Sequence, residues 1–358
     1  MARKRIVFIG GGAVGAYVSA HLAKGGENVT VFDPWPANVE TMQARGIEVH
    51  GMTEQEHFVQ PIDARHLCAI SDLAQEAPVD IAFVCMKSYD TAWATQMIAP
   101  YLAPDGFVVS LQNCINEETI AGIVGWGRTT GCIASLIAVD LYEPGKVRRN
   151  VPLGGDKHTV FRIGEPHGRV TDRVSEIADM LRTADSAKTT SNLWGERWSK
   201  LAANAMRNGL AAATGLAGNQ GDQDTGHRRF AIQLAGETVR VGSAHGIVFE
   251  KVYGIPPEHL AAAAEGSAAG LQAVEDNLLA RPVAAKSKHL PSMGQDVQKG
   301  RRTEIEYING FVARKGAEIG IPTPANSAIV GLVQAIERGE VTPAPDAIKG
   351  IVAEVIGG

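Results

Sequence analysis

Lys200, Asn204 and Asn208 recur at four-residue steps within "WSKLAANAMRNG". Side chains at that interval stack on one face of an α-helix. An ammonium and two amides in line can place a positive field or a proton at one point and hold oxygen atoms around it. The other reading is a solvated polar stripe among Leu201, Ala202, Ala203, Ala205 and Met206, and the stretch alone leaves both open. Candidate partners lie elsewhere: Lys87 and Asn113, each ending a strand-like run, and Ser292 and Glu304 in "PSMGQDVQKGRRTEIEYINGFV".

The elements that must position these groups begin with "KRIVFIGGGAVGAYVSAHLAKGGENVTVFDPWP". Residues 5–9 read as a buried strand, Gly10, Gly12 and Gly15 as a G-x-G-x-x-G turn, 16–24 as a helix and 28–33 as a second strand. One glycine makes the tight turn, one lets a pyrophosphate approach bare backbone, and one permits close helix–strand packing. The helix N-terminus adds unpaired amides and a favourable dipole for phosphate. Gly10, Gly11, Gly12, Ala13, Val14 and Gly15 are therefore the expected dinucleotide loop. Asp33 closes the second strand, where an acid accepts from the adenosine ribose hydroxyls and repels a 2′-phosphate. The expected cofactor is NAD(H) in preference to NADP(H). A turn-capping aspartate before Pro34 is the structural alternative, and Lys4 and Arg45 are the cations that could serve a phosphate instead.

Alternation continues with "VDIAFVCMK", a strand ending at Lys87, and "GFVVSLQN", a strand ending at Asn113. In open α/β sheets ligands meet the carboxyl ends of strands, so both residues are expected on the functional rim. A surface lysine and a turn-forming asparagine are the plainer readings. Further strands are expected in 129–149 and 158–164, then a helix over 168–182 and a linker "RTADSAKTTSN".

From about residue 190 the texture becomes Ala-rich and helical, with runs at 193–213, 227–245, 257–280, 300–319 and 324–337. Pro256 and Pro257 start one helix and Pro324 another. Ser292 followed by Gln295 also fits a capping box, and Glu304 also fits a solvated acid within the 300–319 helix. The pattern predicts an α/β Rossmann-type domain over 1–185 and an all-α domain over 186–358. The histidines, including His289, are isolated in sequence, so no metal site is expected. No H-E-x-x-H, Walker A or G-x-S-x-G motif occurs.

A chain of 358 residues, 45% hydrophobic and 20% charged, is globular in composition and long enough for two domains. Its net charge of -5 argues against nucleic acid as a partner. Cys68, Cys85, Cys114 and Cys132 have neither metal-ligand spacing nor disulfide density, which suits a reducing cytoplasm. The start "MARKRIVFIGGGAVG" has a basic stretch before an apolar one, but the apolar run is short and broken by glycines. No run long enough to span a bilayer follows, so no membrane partner is expected. The apolar faces of the Ala-rich helices suit a homodimer.

Taken in order, "GGGAVG" at 10–15, "MK" at 86–87, "LQNCINEE" at 111–118, "WSKLAANAMRN" at 198–208, "PSMGQDVQKGRRTEIEYINGFV" at 291–312 and "GIPTPAN" at 320–326 resemble the ketopantoate reductase (2-dehydropantoate 2-reductase) family. The resemblance spans nearly the whole chain. It implies a Rossmann domain, a helical domain like the C-terminal domain of 6-phosphogluconate dehydrogenase, and reduction of a small 2-keto acid by a nicotinamide cofactor, toward pantothenate. By the same resemblance Lys200 is the catalytic lysine and Asn113 and Lys87 line the cleft near the cofactor. Asn204, Asn208, Ser292 and Glu304 form the substrate side, with Glu304 counted among the catalytic groups. Two departures stand out. The family often has a basic residue where Asp33 stands and a glycine where Cys114 stands. Extra material is apparent near 50–66, and also at 150–160 and 260–285. A related dehydrogenase acting on another 2-keto or 2-hydroxy acid is the alternative.

Overall fold

Arg5–Ile9 (β1) is buried at all five positions, as a parallel strand covered on both faces must be. The computed structural model describes residues 3–281 and 290–357, so His289 lies outside the described residues. After β1 come α1 (Ala13–Lys24), β2 (Asn28–Asp33), α2 (Pro36–Arg45), β3 (Ile47–His50), β4 (Phe58–Gln60) and β5 (Asp63–His66). β6 (Val79–Val84), α3 (Thr91–Ile98), β7 (Leu102–Ser110), α4 (Glu117–Val124) and β8 (Thr129–Ala134) follow. β9 (Val139–Glu143), β10 (Lys146–Arg149), β11 (Phe161–Gly164), α5 (Asp172–Leu181) and β12 (Ala187–Thr190) complete the first of two compact units, residues 1–193.

Eight strands form one sheet in the order β12-β11-β8-β7-β6-β1-β2-β5, parallel except where β11 meets β8. Alternate residues of β1 serve opposite faces. Ile6 and Phe8 join the core that includes α1 and α5, whereas Val7 and Ile9 join the one that includes α3 and α4. Phe8 stacks on Phe83 of the neighbouring strand with ring centroids 4.6 Å apart. The chain leaves β1 toward β2 on one side and returns at β6 on the other. The turn after β1 therefore sits at a topological switch point, where such sheets bind ligands.

Several expected boundaries move. β6 stops at Val84 and β7 at Ser110, so Lys87 and Asn113 lie in the loops beyond the strands. Lys87 opens a short 3₁₀ turn, its carbonyl accepting from the Asp90 N–H at 2.9 Å. The stretch read as a linker, 182–192, contains β12, which pairs in parallel with β11 from Phe161↔Ala187 to Gly164↔Thr190. The sequence-based division at 185/186 falls ahead of this strand, and the compact units divide between Leu193 and Trp194. Part of the apparent extra material near 50–66 helps build a second sheet, in the order β4-β3-β10-β9.

The second unit contains α6 (Leu193–Thr214), α7 (Thr225–Ala244), α8 (Pro257–Ala264), α9 (Ala268–Leu279), α10 (Ser292–Gln298), α11 (Asn309–Glu318), α12 (Pro324–Glu337) and α13 (Lys349–Ile356). The expected helix at 257–280 is two helices, because Ser267 Oγ accepts from the Gly270 N–H and caps α9. The expected helix at 300–319 begins only at Asn309, behind a 3₁₀ turn over Ile305–Tyr307. The Thr303 N–H donates to Glu337 of α12 at 2.6 Å, a tertiary bond that holds this approach out of helix. Glu304 thus precedes the turn rather than lying within a helix. Ser292 is the first residue of α10, with Pro291 at the N-cap and no side-chain cap bond. Gln295 instead donates to the Leu290 carbonyl at 2.9 Å, so the capping box does not form.

The N-terminus of α12 is held from within the fold. Buried Glu237 of α7 accepts from the Ala325 and Asn326 N–H groups, each at 3.0 Å, and from Asn326 Nδ2 at 2.8 Å. A carboxylate there answers the open amides and dipole of the helix start. Among the described residues no helix is long and apolar enough to cross a membrane.

Candidate cofactor site and candidate substrate cavity

The turn after β1 requires glycine at two positions. Gly10 has φ +109°, and a Cβ there would lie 2.8 Å from Met86 Sδ and 3.0 Å from the Cys85 carbonyl carbon. A Cβ on Gly15 would lie only 2.0 Å from the Gly10 carbonyl oxygen. A Cβ on Gly12, by contrast, would meet nothing within 4 Å. The outer face of the turn is therefore open where α1 begins. Gly12 supplies no side-chain cap and the first turn of α1 has no acid, which leaves the Ala13, Val14 and Gly15 amides suited to an anion. These residues fit the pyrophosphate of a dinucleotide.

Asp33 is 6% exposed. Its Oδ2 accepts from the Gly11 N–H at 2.7 Å and its Oδ1 from the Trp35 N–H at 2.9 Å. Burial pushes its carboxyl above the ordinary aspartate value, against the lowering effect of those amide bonds. The two amide bonds leave acceptor positions free on Asp33, since a carboxylate offers about four. Of the nearby cations, Arg65, one register step from Asp33's partner His66, is committed to Asp63 at 2.7 Å and Glu76 at 2.6 Å. Lys4 pairs with Glu176, and Arg45 is exposed in the last turn of α2.

The loops after β6 and β7 are tied together by residues the sequence reading did not single out. Gln112, 7% exposed, donates to the Met86 carbonyl at 2.8 Å and to Thr91 Oγ1 at 2.9 Å. Asn116 donates to the Asn113 carbonyl at 2.8 Å and to Ser88 Oγ at 3.3 Å. Lys87 and Asn113, both half-buried, are thus carried on braced loops beside the glycine turn, because β7, β6 and β1 are consecutive in the sheet. Asn38 was also missed: fully buried, it donates to the Gly11 carbonyl at 3.0 Å and accepts from the Gly145 N–H at 2.8 Å. The only signal for these amides was their polarity soon after a strand; apart from the Asn116–Asn113 bond, their partners are remote in sequence.

In the second unit a cavity of about 490 Å³ is lined by Asn204, Asn208 and Ser292 together with Arg207, Tyr253 and Arg281. Its size lies within the roughly 300–1,000 Å³ usual for small-molecule sites. Asn204 and Asn208 come from adjacent turns of α6 and Ser292 from the start of α10. Asn204 Nδ2 is buried with no hydrogen-bond partner among the described residues. A buried donor in a cavity wall calls for an acceptor oxygen. Lys200, half-buried, lies one turn before Asn204 on α6 but is not in the cavity wall. Glu304 is 4% exposed and is also outside the wall. Arg207 is neutralised by buried Asp222, with Nη2–Oδ2 at 2.8 Å. Arg281 donates to Asn277 Oδ1 at 2.9 Å and to the Tyr253 carbonyl. Neither arginine was anticipated, and only the cavity distinguishes them from surface residues.

Two family models match the chain in order. Ketopantoate reductase PanE/ApbA matches residues 6–161, and the C-terminal model of the same name matches 192–337. The chain belongs to the ketopantoate reductase family. The family binds a nicotinamide cofactor, and the glycine turn of this member fits one. A 2-dehydropantoate 2-reductase of Archaeoglobus fulgidus is 28% identical over 344 residues, covering 94% of this chain and 99% of the relative. Another from Mesorhizobium japonicum is 26% identical, with the same coverage. A PanE/ApbA family ketopantoate reductase from Ralstonia eutropha JMP134 superposes with a TM-score of 0.75 at 25% identity, covering 94% of this chain and 99% of that one. D-mandelate dehydrogenase with NADH and anilino(oxo)acetate shares the fold, with a TM-score of 0.74 at 20% identity and the same coverage. Within this family framework, Cys114 acquires a backbone explanation. Its φ of +65° lies in the left-handed region that favours glycine, the residue expected there from the family resemblance. A side chain at that angle costs about 1–2 kcal/mol.

Proposed function

We propose that the chain catalyses reduction of 2-dehydropantoate to pantoate by a nicotinamide cofactor, a step toward pantothenate in the cytoplasm. The observation that carries this reading is the cavity of Asn204, Asn208 and Ser292, with its unsatisfied Asn204 amide, in a member of the ketopantoate reductase family. The Gly10–Gly15 turn holds the pyrophosphate and Asp33 the adenosine ribose. When bound, the nicotinamide supplies the hydride to the 2-keto carbon. Lys200 donates a proton to the carbonyl oxygen as it gains negative charge, an oxygen that would otherwise be left as an alkoxide. Asn204 and Asn208 hold substrate oxygens without adding charge, and Ser292 donates to the carboxylate. Asn113 and Lys87 position the reacting end, and Glu304 acts from the substrate side on the distal hydroxyl.

The deciding experiment is a spectrophotometric screen of 2-dehydropantoate and a dozen other 2-keto acids, each with NADH and NADPH. The highest kcat/KM is expected for 2-dehydropantoate; a flat profile, or no turnover with any acid, overturns the reading. NADH is expected to bind more tightly than NADPH, because Asp33 repels a 2′-phosphate and Arg65 is already paired. Equal or reversed dissociation constants overturn that preference and make Arg45 the next residue to examine.

A second reading, a related dehydrogenase for another 2-keto or 2-hydroxy acid, is favoured by Arg281. Its guanidinium lines the cavity, and its hydrogen-bond partners are neutral oxygens. Such a group suits an additional anionic or aromatic substituent, and the same screen reveals it as a different preferred acid. A homodimer is supported by α13, whose Ile351, Val352, Val355 and Ile356 are only half-buried. Sedimentation equilibrium is expected to return twice the chain mass; a monomer at assay concentration removes this proposal.

A further inference from the structure

The second sheet of the first unit carries a cluster that the reductase reaction does not use. Glu48 and His50 are two residues apart on β3 and so project from the same face of that strand. β3 pairs antiparallel with β4 through Glu48↔Val59 and Val49↔Phe58, and continuing this register sets His50 opposite His57. Directly opposed strand positions hold their Cβ atoms about 4.5–5.5 Å apart. The two imidazoles accordingly stack, with centroids 4.1 Å apart and planes inclined by 26°. Both rings turn Nε2 toward one carboxylate oxygen: Glu48 Oε1 is 2.7 Å from His50 Nε2 and 3.4 Å from His57 Nε2. Ligand atoms of all three residues lie within 4.8 Å of one another, the one such group of His, Cys, Asp or Glu among the described residues.

We propose that Glu48, His50 and His57 bind one divalent transition-metal ion, with zinc the best match. Zinc takes imidazole nitrogen at about 2.0–2.1 Å and carboxylate oxygen at about 2.0–2.2 Å, usually in tetrahedral geometry. Those bond lengths place neighbouring ligand atoms roughly 3.3–3.5 Å apart. The Glu48–His57 separation already matches, and the Glu48–His50 separation requires a small opening. Two histidines and one carboxylate leave a further position for water, as in three-ligand zinc sites. Imidazole nitrogen also selects against magnesium and calcium, which prefer oxygen ligands. The sites are accessible, since His57 is 45% exposed and Glu48 and His50 about 30% at their side chains.

The surroundings support a compact site. The Tyr142 ring packs edge-on to His50 at 5.8 Å, limiting that imidazole's rotation. Two positive charges stand opposite the cluster on β10: Lys146, opposite Glu48, is engaged by Glu143 at 2.8 Å, and Arg148, opposite His50, by Asp140 at 3.2 Å. An ion at this place would clip the β3–β4 hairpin closed, joining the end of β3 to the residue just before β4. Its consequence is therefore local stability of the second sheet.

The test is titration of the tag-free full chain with Co²⁺, read by visible d–d absorption, and with Zn²⁺, read by calorimetry and by displacement of the cobalt bands. One ion per chain and a raised melting temperature are expected. His57→Ala is expected to weaken Co²⁺ binding by about 100-fold or more, and His50→Ala likewise, since each removes a direct ligand where even supporting groups give roughly 10–100-fold. Glu48→Gln provides a third, shape-preserving variant, and far-UV circular dichroism checks that each variant is folded. Binding below one ion per chain, or unchanged affinity in the His50→Ala/His57→Ala double variant, overturns the proposal. Reductase turnover of the double variant is expected to match the parent; turnover lost together with metal overturns the assignment of the ion to hairpin stability alone.

Discussion

Lys200→Ala is expected to lower turnover on the preferred 2-keto acid by about 10²–10⁴-fold, the usual contribution of general acid catalysis. The dissociation constant for NADH should stay within experimental error of the parent. The separation follows from the proposed role, in which Lys200 delivers a proton to the carbonyl oxygen and does not hold the dinucleotide. Its place on α6, one turn before Asn204, puts the ammonium on the helical face that also supplies the cavity amides. An ammonium acts as an acid near neutral pH when burial and neighbouring dipoles ease loss of its proton. If the alanine variant keeps near-normal turnover, Lys200 is a solvated helix residue and another group must supply the proton. Stopped-flow measurement of the first turnover distinguishes a slowed chemical step from slowed product release.

The second large effect is a contrast between two glycines in one turn. Gly15→Ala drives a methyl to 2.0 Å from the Gly10 carbonyl oxygen, a backbone atom with no room to retreat from α1. The expected cost is about 3 kcal/mol or more of stability, at or beyond the upper range for overpacking. The melting temperature should fall by several degrees and NADH binding should be lost with the turn. Gly12→Ala meets no protein atom within 4 Å, so its melting temperature should match the parent. Its methyl instead enters the open space outside the turn, where the pyrophosphate is proposed to lie. NADH affinity is expected to fall roughly 10–100-fold, equivalent to about 1–3 kcal/mol. Thermal melts and fluorescence titration of both variants give the comparison. Equal melting temperatures, or unimpaired NADH binding by Gly12→Ala, would remove the open face of this turn as the pyrophosphate site.

What the sequence determined by itself was the set of features written in neighbouring residues. Gly10, Gly12 and Gly15 between two apolar runs specify strand, turn and helix because backbone sterics at those positions are local. Pro257 and Pro324 mark helix starts because proline suits the first helical turn and interrupts a helix further in. The four-residue spacing of Lys200, Asn204 and Asn208 likewise aligns them on α6 whatever packs around it. The tertiary structure decided whatever depends on a partner far along the chain. β12 is a strand because β11 pairs with it, although 182–192 has the composition of a linker. Glu304 stays outside a helix because Thr303 is bonded to Glu337. Gln112 and Asn38 become braces only through Met86 and Gly145. Arg281 reaches the cavity of Asn204 and Ser292, and His57 reaches His50, by the same route. Local sterics and periodicity can be read in a window of a few residues. Which polar groups face each other is set only when helices and strands pack, because a buried hydrogen bond is specified by both its ends.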